Sequence, residues 1–138
     1  MPAEHDEPQP RTLVIEGARI DGIRSFYAEI NRVFMADEDW DLGPSLDALD
    51  DLLYGGYGAA AGDGPVTIVW TDAEHARAAL GTEATRAFYR DKLAHPETFD
   101  TERIARQLAE LDAGTGPSYF DIVLEIFASH PRLRLVLA

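Results

Sequence analysis

The chain has 138 residues and no cysteine, which excludes disulfides and thiolate metal sites; the lack of such staples is what a cytoplasmic protein is expected to show. No apolar run approaches the ~20 residues that a membrane-spanning helix needs. Residues 1–11 form a polar stretch with acids and prolines. It lacks the positive start and apolar centre of a signal peptide, and a disordered acidic, proline-rich tail is expected there. Positive charge is the scarcest property of all. Twelve Lys and Arg stand against 25 Asp and Glu, a net charge of −13. Nucleic acid and anionic membrane surfaces would be repelled and are excluded as direct ligands; what remains is a basic protein partner, or solubility alone. The histidines (His5, His75, His95 and His130) have no ligand spacing, so no metal and no cofactor are expected. His130, just before Pro131, reads as a helix-end residue placed where a partial positive charge is favourable.

The remaining composition is that of one globular domain, 12–138, with 46% apolar and 9% aromatic residues. Thr12–Ile15 reads as a first strand, closed by Glu16 and Gly17. Ser25 is placed to cap a helix whose Phe26, Ile30 and Val33 share a face. Gly43-Pro44-Ser45 signals a second helix start with Ser45 as N-cap. Leu46, Leu49, Leu52 and Leu53 line one side of that helix, and the glycines after Tyr54 stop it. Val66–Trp70 is a continuous apolar run, as expected of a strand buried on both faces, with Trp70 in the core. Helices follow from Thr71-Asp72 to about Leu80, from Thr82 to about Leu93, and from Asp100 or Thr101 to about Leu111. Ser118 starts the last helix, with Asp121 completing a capping box, and Leu133–Leu137 is a final strand. Strands separated by helical crossovers give an α/β fold with a small, three-stranded parallel sheet.

The negative charge is concentrated. From Val33 to Ala76 there is no Lys or Arg, while ten acids occur. On the helix after Ser45, Asp47, Asp51 and Tyr54 recur at i, i+4 and i+7, opposite the leucines, with Asp50 at the edge of that face. Like charges one turn apart destabilise a helix by ~0.2–0.5 kcal/mol. Asp47 recovers part of this near the helix N-terminus, where the macrodipole favours anions. Two readings of the face stand: a solvated polar surface, or a surface that meets the Arg, Lys or His⁺ groups with which an enzyme holds phosphate. Trp40 also has two readings, as an exposed loop anchor or as an aromatic packed under the helix. A catalytic carboxylate pair needs a pocket and unequal environments for its two acids. An exposed i, i+4 pair offers neither, so no catalytic residue is assigned.

The string Leu46-Asp47-Ala48-Leu49-Asp50-Asp51-Leu52-Leu53, following Gly43, resembles the barstar family of intracellular ribonuclease inhibitors. Leu13–Gly17 is similar to that family's first strand and turn, Pro65–Asp72 to its second strand and helix start, and Tyr119–Ala138 to its last helix and strand. The resemblance implies a small parallel sheet with helices beside it, and a cytoplasmic inhibitor that is not an enzyme. It implies as partner a basic, secreted microbial ribonuclease, blocked by an acidic helix that imitates RNA phosphates. A chain of this kind is an immunity protein and a monomer when unbound. Residue by residue, the resemblance assigns the helix acids to Asp47 and Asp51, with Asp51 meeting the enzyme's cations most directly. It assigns the preceding contact loop to Asp41, Leu42 and Gly43, and a further acidic contact to Glu125 on the last helix.

The chain also departs from the family pattern. Asp41 stands where the family has a loop aromatic, with Trp40 one residue earlier. Asp50 stands where it has an aromatic between the helix acids. Gly55 and Gly56 replace an aromatic after the helix, with Tyr57 nearby. Residues 81–116 read as an insert of about two helices. Two other functions fit the same residues: a barstar-like module for a basic partner that is not a nuclease, and, further off, a carboxylate-dependent hydrolase.

Overall fold

A computed structural model describes residues 11–138, so all but the last residue of the expected tail lies outside the described residues; Arg11 itself opens the first strand. Three strands, β1 (Arg11–Glu16), β2 (Val66–Thr71) and β3 (Leu133–Leu137), form a parallel sheet in the order β1-β2-β3. Six helices accompany it: α1 (Ile23–Phe34), α2 (Leu46–Leu53), α3 (Ala73–Ala79), α4 (Thr82–Leu93), α5 (Thr101–Asp112) and α6 (Tyr119–Ala128). The α/β class and the three parallel strands agree with the sequence reading.

The register places Leu13, Ile68 and Leu135 in one row and Ile15, Trp70 and Leu137 in the next. This face meets α1, α2 and α6. Phe26 of α1 stacks on Trp70 at 5.9 Å between ring centroids, and Phe120 of α6 lies 5.2 Å from it. The opposite face carries Thr12, Val14, Thr67, Val69, Arg134 and Val136, none of them fully buried. The expectation that β2 is buried on both faces is therefore corrected: Val66, Ile68 and Trp70 are buried, while Thr67, Val69 and Thr71 are only partly covered. A continuous apolar run does not distinguish a two-sided strand from one whose second side is merely valine and threonine.

Helix starts follow local chemistry. Ser45 caps α2, its Oγ accepting the Ala48 N–H, and Ser118 with Asp121 forms the expected capping box of α6. Asp100 caps α5 by accepting the Arg103 N–H at 3.2 Å. Ser25 is a correction. The first helix begins at Ile23, and Ser25 lies inside its first turn, where Oγ accepts the N–H groups of Asp21 (2.7 Å) and Gly22 (3.0 Å). The hydroxyl still satisfies orphan helix-start donors, but it reaches back instead of forward. Gly17 allows close approach of β1's end to the sheet: a Cβ there would overlap the carbonyls of Thr71 and Asp72.

A second, smaller apolar cluster of Tyr89, Ile104 and Leu111 holds α4 and α5 together. Phe88 packs against both clusters and meets Tyr119 edge-on at 5.1 Å, joining the α4–α5 pair to the main core. The segment expected as two helices, 81–116, is those two helices.

Candidate protein-binding site

The α2 helix sits on its leucines. Leu49, Leu52 and Leu53 are wholly buried, and Leu46 is partly so. That anchorage turns Asp47, Asp51 and Tyr54 outward; all three are exposed, Tyr54 at 70%. At C′, Gly55 adopts φ +91°, which ends the helix; its N–H donates to Leu52 O at 3.2 Å.

Asp50 belongs to a different environment. Its Oδ1 accepts from His130 Nε2 at 2.7 Å, and the His130 side chain is only 6% exposed. Tyr54 meets the same imidazole edge-on at 4.7 Å. The helix-end reading of His130 holds in position, since it directly follows the α6 C-cap Ser129, but its burial was not foreseen. His130 is buried because a carboxylate on α2 supplies the partner that a buried imidazole N–H requires.

On the other side of the helix, Tyr57 O–H donates to Asp51 Oδ2 at 2.8 Å. Partial burial and that bond push the Tyr57 phenol up to about 12. Trp40 lies against Tyr57 with ring centroids 5.0 Å apart and remains 45% exposed. Both readings of Trp40 are therefore partly met: it packs, though on Tyr57 and not under the helix, and it keeps an open face. An aromatic pair thus stands beside Asp51, where the sequence had suggested that aromatics were missing.

The preceding loop is held from within. Leu42 N–H donates to Asn31 Oδ1 (2.7 Å), and Asn31 Nδ2 donates back to Leu42 O (3.1 Å). Leu42 is only 5% exposed, so it anchors the loop and offers no side chain for contact, which corrects that part of the expected contact loop. Asp41 and Gly43 are exposed, and nothing lies within 4 Å of a Cβ built on Gly43. Glu125 is exposed on α6.

Sequence reasoning missed the residues that fix the glycine-rich loop after α2. The Arg132 guanidinium donates to the carbonyls of Ala60 (2.5 Å), Gly64 (3.1 Å) and Leu53 (3.4 Å). Arg11 donates to Ala59 O at 2.9 Å, and Glu38 accepts the Gly58 N–H at 2.8 Å. Glu38 is therefore a structural acid, not part of an open patch. Nothing in the local sequence marks these pairings, whose partners lie 20 to 79 residues apart.

The assembled surface is an exposed pair of carboxylates one helical turn apart, rimmed by Trp40, Tyr54 and Tyr57, with no basic side chain on the helix. It presents acceptors to cations, and its aromatic rim suits burial against another protein. Residues 11–90, more than half of the chain and including all of α2, match the model of the family described as Barstar (barnase inhibitor). The chain belongs to the barstar family. The matched region takes in β1, β2 and the helix start after it, as the resemblance expected; it also takes in residues 81–90 of the expected insert, and it does not reach Tyr119–Ala138. No curated protein sequence matches the chain. In this chain Asp47 and Asp51 do not share one enclosed site: Asp47 lines a groove toward α4 and α5, and Asp51 is not among its walls. Among the described residues no cluster of His, Asp and Glu has the arrangement of a metal site, and no helix is long and apolar enough to cross a membrane.

Proposed function

We propose that the chain is an inhibitor of a ribonuclease, and that α2 enters the enzyme's active site with Asp51 and Asp47 in place of RNA phosphates. The observation that carries this reading is the pair of exposed carboxylates on the helix at the centre of the barstar match. An enzyme that binds a polyanion must offer convergent Arg, Lys or His⁺ groups, and two carboxylates on a rigid helix meet such groups with little ordering cost. Trp40, Tyr54 and Tyr57 exclude water around the charges. Asp41 and Gly43 border the contact, Asp50 stays paired with His130, and Glu125 is the outlying acid on α6. On this reading the partner is a basic, secreted enzyme of the same cell, the chain acts in the cytoplasm as an immunity protein, and it is monomeric when unbound. The helix α5, which lies beyond the matched residues, is an addition to the barstar scaffold on this reading.

The test is to present the full chain with the secreted ribonucleases of its own cell and to follow RNA cleavage with and without it. Stoichiometric loss of cleavage is the expected result; ribonucleases that neither bind nor slow down would sink the reading. Truncation of one partner of a desolvated charge pair costs about 2–5 kcal/mol, so Asp51→Ala is expected to weaken the complex roughly thirty-fold or more. Complexes of this family are themselves among the reference cases behind that range.

A second reading, in which the same face binds a basic protein that is not a nuclease, is favoured by Asp50. It stands where the family has an aromatic and is engaged with His130. Binding to such a protein with no effect on any ribonuclease would decide for it.

A further inference from the structure

A groove of about 730 Å³ opens between the first turn of α2 and the α4–α5 pair. Ser45 and Asp47 form one wall; Phe88, Lys92, Phe99 and Arg103 form the other. Lys92 is half-buried, with its ammonium 4.4 Å from the Phe88 ring centroid and 5.1 Å from that of Phe99. Ring faces attract a cation but leave its N–H donors without conventional acceptors. Among the described residues neither Lys92 nor Arg103 forms an ion pair. Asp100, also on the rim, uses its carboxylate to cap α5. Burial pulls the Lys92 ammonium below the ordinary lysine range, Arg103 pulls it the same way, and Asp47 opposes them. Lys92 and Arg103, neither of them in a direct ion pair, thus face an aromatic cleft that the acids Asp47, Asp100 and Glu110 also line.

We propose that this groove is a second contact surface for the ribonuclease, and that it receives a segment of the enzyme carrying a carboxylate beside an aromatic or aliphatic side chain. The inference rests on the reading of the partner as a ribonuclease and adds where else that enzyme touches the chain. Size argues for it. The eight residues of α2 span only about 12 Å. Their outward face falls well short of the ~800 Å² that each partner contributes to a stable interface. A protein seated on Asp47 has to spread onto neighbouring surface, and the groove begins at Asp47 itself. Charge argues for the chemistry of the segment: Lys92 and Arg103 take a carboxylate, and the Phe88 and Phe99 rings take the apolar group next to it. The α4–α5 pair then sets specificity, because an enzyme without that segment would cover Lys92 and leave it desolvated and unpaired.

Two measurements test this. In the first, N-acetylphenylalanine and its uncharged amide are titrated into the full chain, with Lys92 and Phe99 resonances observed by NMR. Saturable shifts are expected with the carboxylate, weaker ones with the amide, and loss of the response in Lys92→Gln and in Arg103→Gln. The absence of a saturable response, or an equal one from the amide or from both variants, overturns the groove as a carboxylate site. In the second, the dissociation constant is measured for the ribonuclease that the chain inhibits. Lys92→Gln and Arg103→Gln are each expected to raise it about tenfold or more. A complex that depends on Asp51 but is indifferent to both variants overturns the groove contact and leaves the parent reading intact. A complex indifferent to Asp51→Ala removes the parent reading, and with it the nuclease as occupant.

Discussion

Single side chains of the same type have opposite assignments on α2. Asp47 and Asp51 are presented outward, while Asp50 is bonded to a buried imidazole. Removing the imidazole takes away that bond and leaves a hole between α2 and the end of α6. His130→Ala is therefore expected to lower stability by about 1–3 kcal/mol, read as a lower urea midpoint at unchanged slope. An unchanged midpoint would mean that Asp50 holds nothing in place. Glu29 gives a second prediction at this scale. It is 2% exposed, and burial alone would raise its carboxyl. The bonds from Arg32 (2.6 and 2.7 Å) and from the Glu16 N–H (2.7 Å) outweigh burial and hold it below the usual range. A carboxyl depressed in the folded state contributes stability above its unfolded value, near ~4.3, and loses it as pH falls through the folded value. In Glu29→Gln the fall of melting temperature on acidification below about pH 4 is expected to be shallower than in the parent chain. These pairings were not legible in the sequence. Asp50 and His130 are 80 positions apart, and Ser25 sits three residues past the true N-cap, Gly22, so its hydroxyl reaches back to the helix start.

At the scale of elements, what was legible is what local chemistry determines. Ser45 and Ser118 caps, the leucine face of α2 and the limits of β3 follow from spacing and turn residues, and the structure has them where expected. The groove beside α2 was hidden, because it exists only when α4 and α5 fold back beside Ser45 and Asp47. The second face of β2 was misread for the same reason: what covers a strand is decided by helices far away in the chain. The glycine after α2 is a point where both levels meet. Gly55 has φ +91°, and a Cβ there would also overlap the Arg132 guanidinium. Gly55→Ala is expected to cost more than about 1 kcal/mol, measured by denaturant unfolding; a neutral result would show that Arg132 yields easily. The α4–α5 pair has its own small cluster and reaches the main core through Phe88. Its amides, above all those of α5, are expected to exchange with solvent sooner than those of α1 and β2. Uniform protection across all of them would show that the pair opens only with the whole molecule.

The whole molecule is governed by its charge. A net charge of −13 on a chain of 138 residues opposes compactness, and added salt screens that repulsion. Between low and physiological ionic strength the melting temperature of the unbound chain is expected to rise, while its rate of association with a basic partner falls. A melting temperature that dropped with salt would point to ion pairs, such as those of Glu16 and Glu29 with Arg32, outweighing the repulsion.

The two tryptophans sit in opposite surroundings: Trp70 is fully enclosed in the core, and Trp40 is 45% exposed beside Asp39 and Asp41. Their fluorescence therefore separates two events without any added dye. Acrylamide, which is neutral, should reach Trp40 and not Trp70. Iodide, an anion, should be kept from both, by the acidic field at one and by burial at the other. A ribonuclease seated on α2 would take away the acrylamide response and leave the emission of Trp70 as the report on folding.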